Sequence, residues 1–122
     1  KISLITNKAF GGAYVVMASK YLGTDINYAW PGAEISVMGA EGAVDVLFKS
    51  QIAAAPDPPA MRARLIEDYR QRFSDPYHAA ASGFLDDIIE PRETRPKMIR
   101  ALAALRDKYA PAPPRKHGNS PM

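Results

Sequence analysis

The residues with the best claim to chemistry are Gly11, Gly12 and Ala13, in the stretch Lys8-Ala9-Phe10-Gly11-Gly12-Ala13-Tyr14. They stand between an apolar, β-branched run, Ile2 to Ile5, and a helix-like run, Ala13 to Tyr21, so the chain is expected to turn from strand to helix through two glycines. The first N–H groups of a helix have no partner within it, and the positive end of the helix dipole lies behind them. Such a corner receives an anion, or an oxygen that gains negative charge during a reaction. Glycine suits it because it can adopt positive φ and because a substrate oxygen can approach a backbone without Cβ. Gly12 and Ala13 are the expected donors. Two other readings fit the same residues: plain turn chemistry, and phosphate binding at a helix N-terminus. Neither Gly-x-Gly-x-x-Gly nor Gly-Lys-Ser/Thr occurs, so nothing specifically favours a nucleotide.

Other chemistry-bearing residues carry less. Asp86 and Asp87 invite an acid/base reading, but neighbours in an extended segment point to opposite faces and cannot act on one atom, so capping or ion pairing is expected. His78 and His117 are far apart and lack carboxylate partners at ligand spacing, so no metal site is indicated. With no cysteine, disulfides, thiolate catalysis and cysteine metal sites are excluded.

The elements that must position the glycine corner follow from the pattern. Ile2 to Thr6 reads as a strand buried on both faces. Ala13, Val16, Met17 and Tyr21 recur at helical spacing, which makes Met17 and Tyr21 core candidates, and Gly23 is placed to cap the helix. Tyr28-Ala29-Trp30-Pro31 and Glu34 to Met38 read as two short strands about the Pro31-Gly32 turn. Gly39-Ala40-Glu41-Gly42 then opens a second helix through Ala43, Val44, Leu47 and Phe48. Strand, glycine loop and helix thus occur twice, which argues for α/β architecture. The second loop either lines the same cleft or merely turns the chain.

Residues 53–59, rich in Ala and Pro, read as a linker. Met61, Leu65, Ile66, Tyr69 and Phe73 form the apolar face of an amphipathic helix whose arginines read as a solvated basic face. Asp75-Pro76 opens an Ala-rich turn ending at Gly83, and residues 86–91 are extended. Thr94 is the expected N-cap of a last helix with a Met98, Leu102, Leu105, Tyr109 stripe. The division expected is one domain over residues 1–110 and an extended, Pro-rich basic tail over residues 111–122.

A chain of 122 residues, 47% hydrophobic and 24% charged, has the size of one domain. Its net charge of +3 is scattered and forms no basic run interleaved with exposed aromatics, so nucleic acid is not indicated. No apolar run is long enough to span a bilayer, and no secretory leader is recognisable. A soluble, intracellular protein is expected. Beginning at Lys1 and running almost directly into a strand that needs neighbours, the sequence reads as a piece of a larger polypeptide.

Read in order, Asn7-Lys8-Ala9-Phe10-Gly11-Gly12-Ala13-Tyr14, Tyr28-Ala29-Trp30-Pro31, residues 37–44 and Gly83-Phe84-Leu85-Asp86-Asp87-Ile88-Ile89 resemble one family. It is the carboxyltransferase (β) subunit of biotin-dependent acyl-CoA carboxylases, of the propionyl-CoA carboxylase type, and its C-terminal part in particular. Arg115 to Met122 is similar to that family's C-terminus. The resemblance implies a crotonase-like fold of ββα units in a superhelix, with C-terminal helices, and a full subunit of two such domains. It implies transfer of a carboxylate from carboxybiotin to the α-carbon of an acyl-CoA, with charge on two oxygens and hence two oxyanion holes. Gly12 and Ala13 would form one hole, facing biotin, with Gly11, Tyr14 and Val15 beside it and Met38, Gly39 and Gly42 as further substrate contacts. The missing N-terminal domain would bind the acyl-CoA. Biotin would arrive on a separate carrier domain or biotin carboxylase subunit, and the full subunit would form hexamers, cytoplasmic in a bacterium or in the mitochondrial matrix of a eukaryote. Where relatives acting on propionyl-CoA commonly carry Asp after Gly-Gly-Ala-Tyr, this chain carries Val15. These 122 residues alone are expected to be inactive.

Overall fold

The computed structural model describes residues 1–111. Strand β1 (Ile2–Ile5), strand β2 (Lys8–Phe10) and helix α1 (Gly11–Ala18) form one ββα unit; strands β3 (Ile26–Ala29) and β4 (Glu34–Ser36) and helix α2 (Ala40–Leu47) form a second. The units stack in parallel, Ile5 opposite Ala29 and Phe10 opposite Ser36. Helices α3 (Lys49–Ala53), α4 (Pro58–Phe73) and α5 (Pro76–Ala81) follow; strand β5 (Asp87–Ile88) then adds to the far side of β3 and α6 (Thr94–Ala104) closes the described part. The result is a β1-β3-β5 sheet beside a β2-β4 sheet.

Three apolar clusters hold this together. Ile5, Ala9, Ala29, Ile35, Ala79 and Leu85 join the two sheets to α5. Tyr28, Ile89 and Ala101 pack α6 on the outer face of the first sheet, with Ile2, Leu4 and Met98 around them. Ala40, Val44 and Ile66 join α2 to α4. The α2–α4 contact is fastened by the Arg62 guanidinium, which donates to both Asp45 carboxylate oxygens at 2.7 and 2.8 Å, and by a second pair, Arg70 with Glu41.

Several expectations need correction. β1 is only partly buried, Ile5 excepted, because among the described residues it pairs on one edge alone. The first helix starts at Gly11 rather than Ala13 and ends at Ala18; a separate 3-10 turn, Lys20–Leu22, carries Tyr21, and Gly23 caps that turn at φ 70°. Met17 and Tyr21 are not core: they are 83% and 63% exposed, Met17 lining a groove along β1 and β2 and Tyr21 standing against the Phe84 ring at another cleft. The linker is shorter than expected. Pro58 and Pro59 sit in the first turn of α4, where the missing N–H costs nothing, and Asp57 caps that turn through the Ala60 N–H at 3.1 Å. Two of the arginines read as a solvated face are paired instead, Arg62 with Asp45 and Arg70 with Glu41. Glu93, not Thr94, is the residue before α6, and Thr94 Oγ1 instead accepts the Trp30 indole N–H at 3.0 Å. On α6 the buried residue is Ala101; Leu102 faces outward, and Tyr109 lies beyond the helix, exposed. Asp86 and Asp87 do ion-pair, with Lys20 and Lys97. The tail expected at residues 111–122 lies, Pro111 apart, outside the described residues.

Candidate functional site

The strand-to-helix corner is built as tightly as the chain allows. β2 ends at Phe10 and α1 begins at Gly11, with no residue between them. The turn is made by Gly11 at φ +57°, and a Cβ there would stand 2.9 Å from the Val37 carbonyl oxygen of the second unit. Both requirements, left-handed backbone and close approach, admit only glycine without strain. Gly12 has neither constraint: a Cβ on it would meet nothing within 4 Å. The N–H groups of Gly12 and Ala13 find no turn or loop acceptor among the described residues, and α1 has no acidic side chain in its first turn. The positive end of the helix is therefore unneutralised.

This corner heads a cleft of about 630 Å³, within the range of small-molecule sites. Gly11, Gly12, Tyr14 and Val15 line one side, and Ile35, Ser36 and Val37 at the end of β4 line the floor. The opposite side comes from the end of α4, from α5 and from the loop after it: Phe73, Asp75, His78, Ala79 and Phe84, with Tyr21 closing the rim. Most of this surface is apolar, and neither lysine nor arginine contributes to it. Tyr14 is half-buried, and its enclosed hydroxyl has no protein partner among the described residues; burial, and secondarily Tyr21, push the phenol above its ordinary value of 10.0.

The other sequence-derived candidates are placed differently. Ala13 faces a second groove of about 640 Å³, along β1 and β2, on the other side of α1. Tyr14 lies between the two, touching both. Met38 and Gly39 precede α2 without lining the cleft, and a Cβ on Gly39 would lie 3.4 Å from the Phe10 ring. Gly42 is exposed on α2. Pattern reading singled out neither Tyr21 nor Phe84 as a site residue. They are distant in sequence, and only the α5 turn, closed by Gly83 at φ +80°, brings Phe84 back toward Tyr21.

Among the described residues no helix is long and apolar enough to cross a membrane. The sequence matches the carboxyl transferase domain family over residues 1–120. It is 54% identical over 121 residues to the propionyl-CoA carboxylase carboxyltransferase subunit of Haloferax mediterranei, covering 99% of this chain and 23% of that subunit. Against the methylmalonyl-CoA carboxyltransferase 12S subunit of Propionibacterium freudenreichii subsp. shermanii the identity is 51% over 121 residues, with 99% of this chain and 23% of that protein covered. The transcarboxylase 12S crystal structure with methylmalonyl-coenzyme A and methylmalonic acid bound, described as a hexamer assembly, superposes with a TM-score of 0.89 at 51% identity, over 100% of this chain and 24% of that one. The stacked parallel ββα units are thus the crotonase-like fold, and this chain spans under a quarter of the relatives it matches. With the family match over nearly every residue and the glycine corner standing at the head of a cleft, the chain belongs to the carboxyl transferase domain family.

Proposed function

We propose that this chain supplies one half of a carboxyl-transfer site, in which a carboxyl group passes from carboxybiotin to the α-carbon of an acyl-CoA such as propionyl-CoA. The observation that carries it is the Gly11 corner: a left-handed glycine held under Val37 O, which leaves the N–H groups of Gly12, lining the cleft, and of Ala13, lining the neighbouring groove, without a turn or loop acceptor among the described residues.

The chemistry asks for this. An acyl-CoA would attack through its α-carbon only as an enolate, with negative charge on the thioester oxygen; loss of the carboxyl group would put charge on the ureido oxygen of biotin, and the ureido nitrogen that gave it up would end with the α-proton in exchange. Preorganised N–H donors at such oxygens are worth more than a nucleophile, since no acyl-enzyme is needed. Gly12 and Ala13 hold and orient one of these oxygens, in our assignment that of biotin, and the donors for the other belong to the rest of the subunit. The residues fit the group: donors at the cleft head suit a ureido oxygen, and the apolar floor excludes water from it. Biotin supplies the carboxyl group and comes on a separate carrier. Val15, lining the cleft about 4.5 Å along the helix axis from Gly12, offers methyl groups to the acyl side. By analogy with the hexamer of the transcarboxylase relative, the full subunit works as a homo-oligomer with a biotin carrier as partner, in the cytoplasm of its host.

The test is carboxyl transfer by the full-length subunit. With carboxybiotin and propionyl-CoA it should yield methylmalonyl-CoA, whereas residues 1–122 alone, with one oxyanion hole of two, should yield none. Robust turnover by the short chain would overturn the shared-site assignment.

A further inference from the structure

The cleft is larger than a propionyl group requires, and Tyr21 and Phe84 are among its lining. Tyr21 and Phe84 stand there with ring centroids 5.1 Å apart, tilted by 33°. Their placement is built rather than incidental. Phe84 follows Gly83 in a left-handed cap, the Phe84 N–H donating to Ala79 O at 2.9 Å and the Gly83 N–H to Ala80 O at 2.9 Å. Tyr21 sits on a 3-10 turn closed in the same manner, Thr24 N–H to Ser19 O at 3.3 Å and Gly23 N–H to Lys20 O at 3.0 Å. The two turns are tied together through Asp86, which accepts from Lys20 Nζ at 2.8 Å and from the Asn27 backbone N–H at 2.6 Å. Asn27 itself is fully buried; the orientation of its amide that satisfies both ends takes the Lys20 N–H at 3.2 Å and donates to Ser3 Oγ at 2.7 Å.

Resting on the carboxyl-transfer function proposed above, we infer that the Tyr21–Phe84 pair is the chain-length wall of the site, the surface against which the distal carbons of the acyl group pack. Two observations choose this occupant. No lysine or arginine lines the cleft, so the phosphates of coenzyme A have no counter-charge there and the apolar end of the thioester is what enters. Val15 lines the same cleft as the two rings and adds methyl groups to its apolar surface, which suits a saturated chain. The polar ureido group of biotin finds its donor at Gly12, which lines the same cleft. An acyl group longer than propionyl therefore gains contact with the rings, at roughly fourfold in affinity for each methylene buried.

The experiment uses the full-length subunit and measures acetyl-, propionyl- and butyryl-CoA dissociation constants by calorimetry, with kcat/KM alongside. In the parent, the dissociation constant should fall about fourfold per added methylene. In Tyr21→Ala, whose side chain is largely exposed, and in Phe84→Leu, which keeps an apolar filler, the propionyl-to-butyryl step should shrink below about twofold while acetyl-CoA binding holds. Unchanged increments in folded variants would overturn the assignment, as would a rise confined to the KM for free biotin, which would place the rings on the biotin side. A parent subunit that carboxylates no acyl-CoA at all would instead overturn the function on which the wall rests.

Discussion

The two ββα units have the same order of elements and opposite fates. α2 is covered: Ala40, Ala43 and Val44 are buried, Ala40 and Val44 against α4, and its N-terminal end carries Glu41, whose carboxyl is held below its ordinary range first by hydrogen bonding to its own backbone N–H and then by Arg70. α1 buries no residue and has no acid in its first turn, although Ala13, Val16 and Met17 make it more apolar than α2. Three residues, Val37, Met38 and Gly39, separate β4 from α2, so that corner turns without positive φ; none separates β2 from α1, and Gly11 must take the left-handed form. One motif thus gives a covered helix with an acid at its N-terminus in the second unit, and an uncovered helix with no acid there in the first, where the proposed site lies.

The contrast can be broken most severely at Gly12. In the full-length subunit, Gly12→Val should fold normally, because its side chain enters open space, yet lose carboxyl transfer by about a hundredfold, near 3 kcal/mol. Normal turnover in the folded variant would remove the corner from the mechanism. Gly11→Ala should act on the fold instead: the left-handed conformation costs a non-glycine residue about 1–2 kcal/mol, and the contact with Val37 O adds to it, read as a lower urea midpoint. In the covered unit the sign reverses. Gly42→Ala, on an exposed helical turn with nothing near its Cβ, should raise stability by about 0.5–1 kcal/mol in the same assay. The smallest effect is expected of Asp45→Asn, which unties α2 from α4 at an exposed pair. The Asp45 carboxyl is held below its ordinary value of 3.8, chiefly by the hydrogen bond from Arg62, so its contribution is full above that value and is lost as pH falls through the lower folded one. The melting difference between parent and variant should therefore close on acidification.

Local chemistry was legible where it was decided locally. The Gly11-Gly12 corner, the helical start at Asp75-Pro76 and the glycine stops at Gly23 and Gly83 follow from residue type and position, whereas the Asp57 cap was hidden in a stretch read as a linker. Which glycine takes the left-handed form was not legible, because the deciding contact, Val37 O, comes from the other unit. Helical spacing named Met17 and Tyr21 as core, but spacing says only that a face is apolar; whether anything covers it depends on chain elsewhere. On α6 the buried position went to small Ala101 rather than Leu102, since helix and sheet approach closely there. The Tyr21–Phe84 wall was invisible for the same reason: two capped turns far apart in sequence must both close before the rings meet.

The middle strand has a consequence for the order of assembly. Ala29 in β3 pairs with Ile5 on one side and with Ile88 on the other, and the second loop, holding α2 to α5, is more than twice as long as the first. Closing a loop costs about 0.6 kcal/mol more for each doubling of its length, so β1 and β3 should meet first. On the ribosome, β3 emerges well before β5 and waits with one edge unpaired until Ile88 and Ile89 arrive. Amide exchange during refolding should show protection of Trp30, whose N–H donates to the Ile5 carbonyl at 2.9 Å, ahead of Ile89, whose N–H closes the sheet onto the Ala29 carbonyl at 2.9 Å.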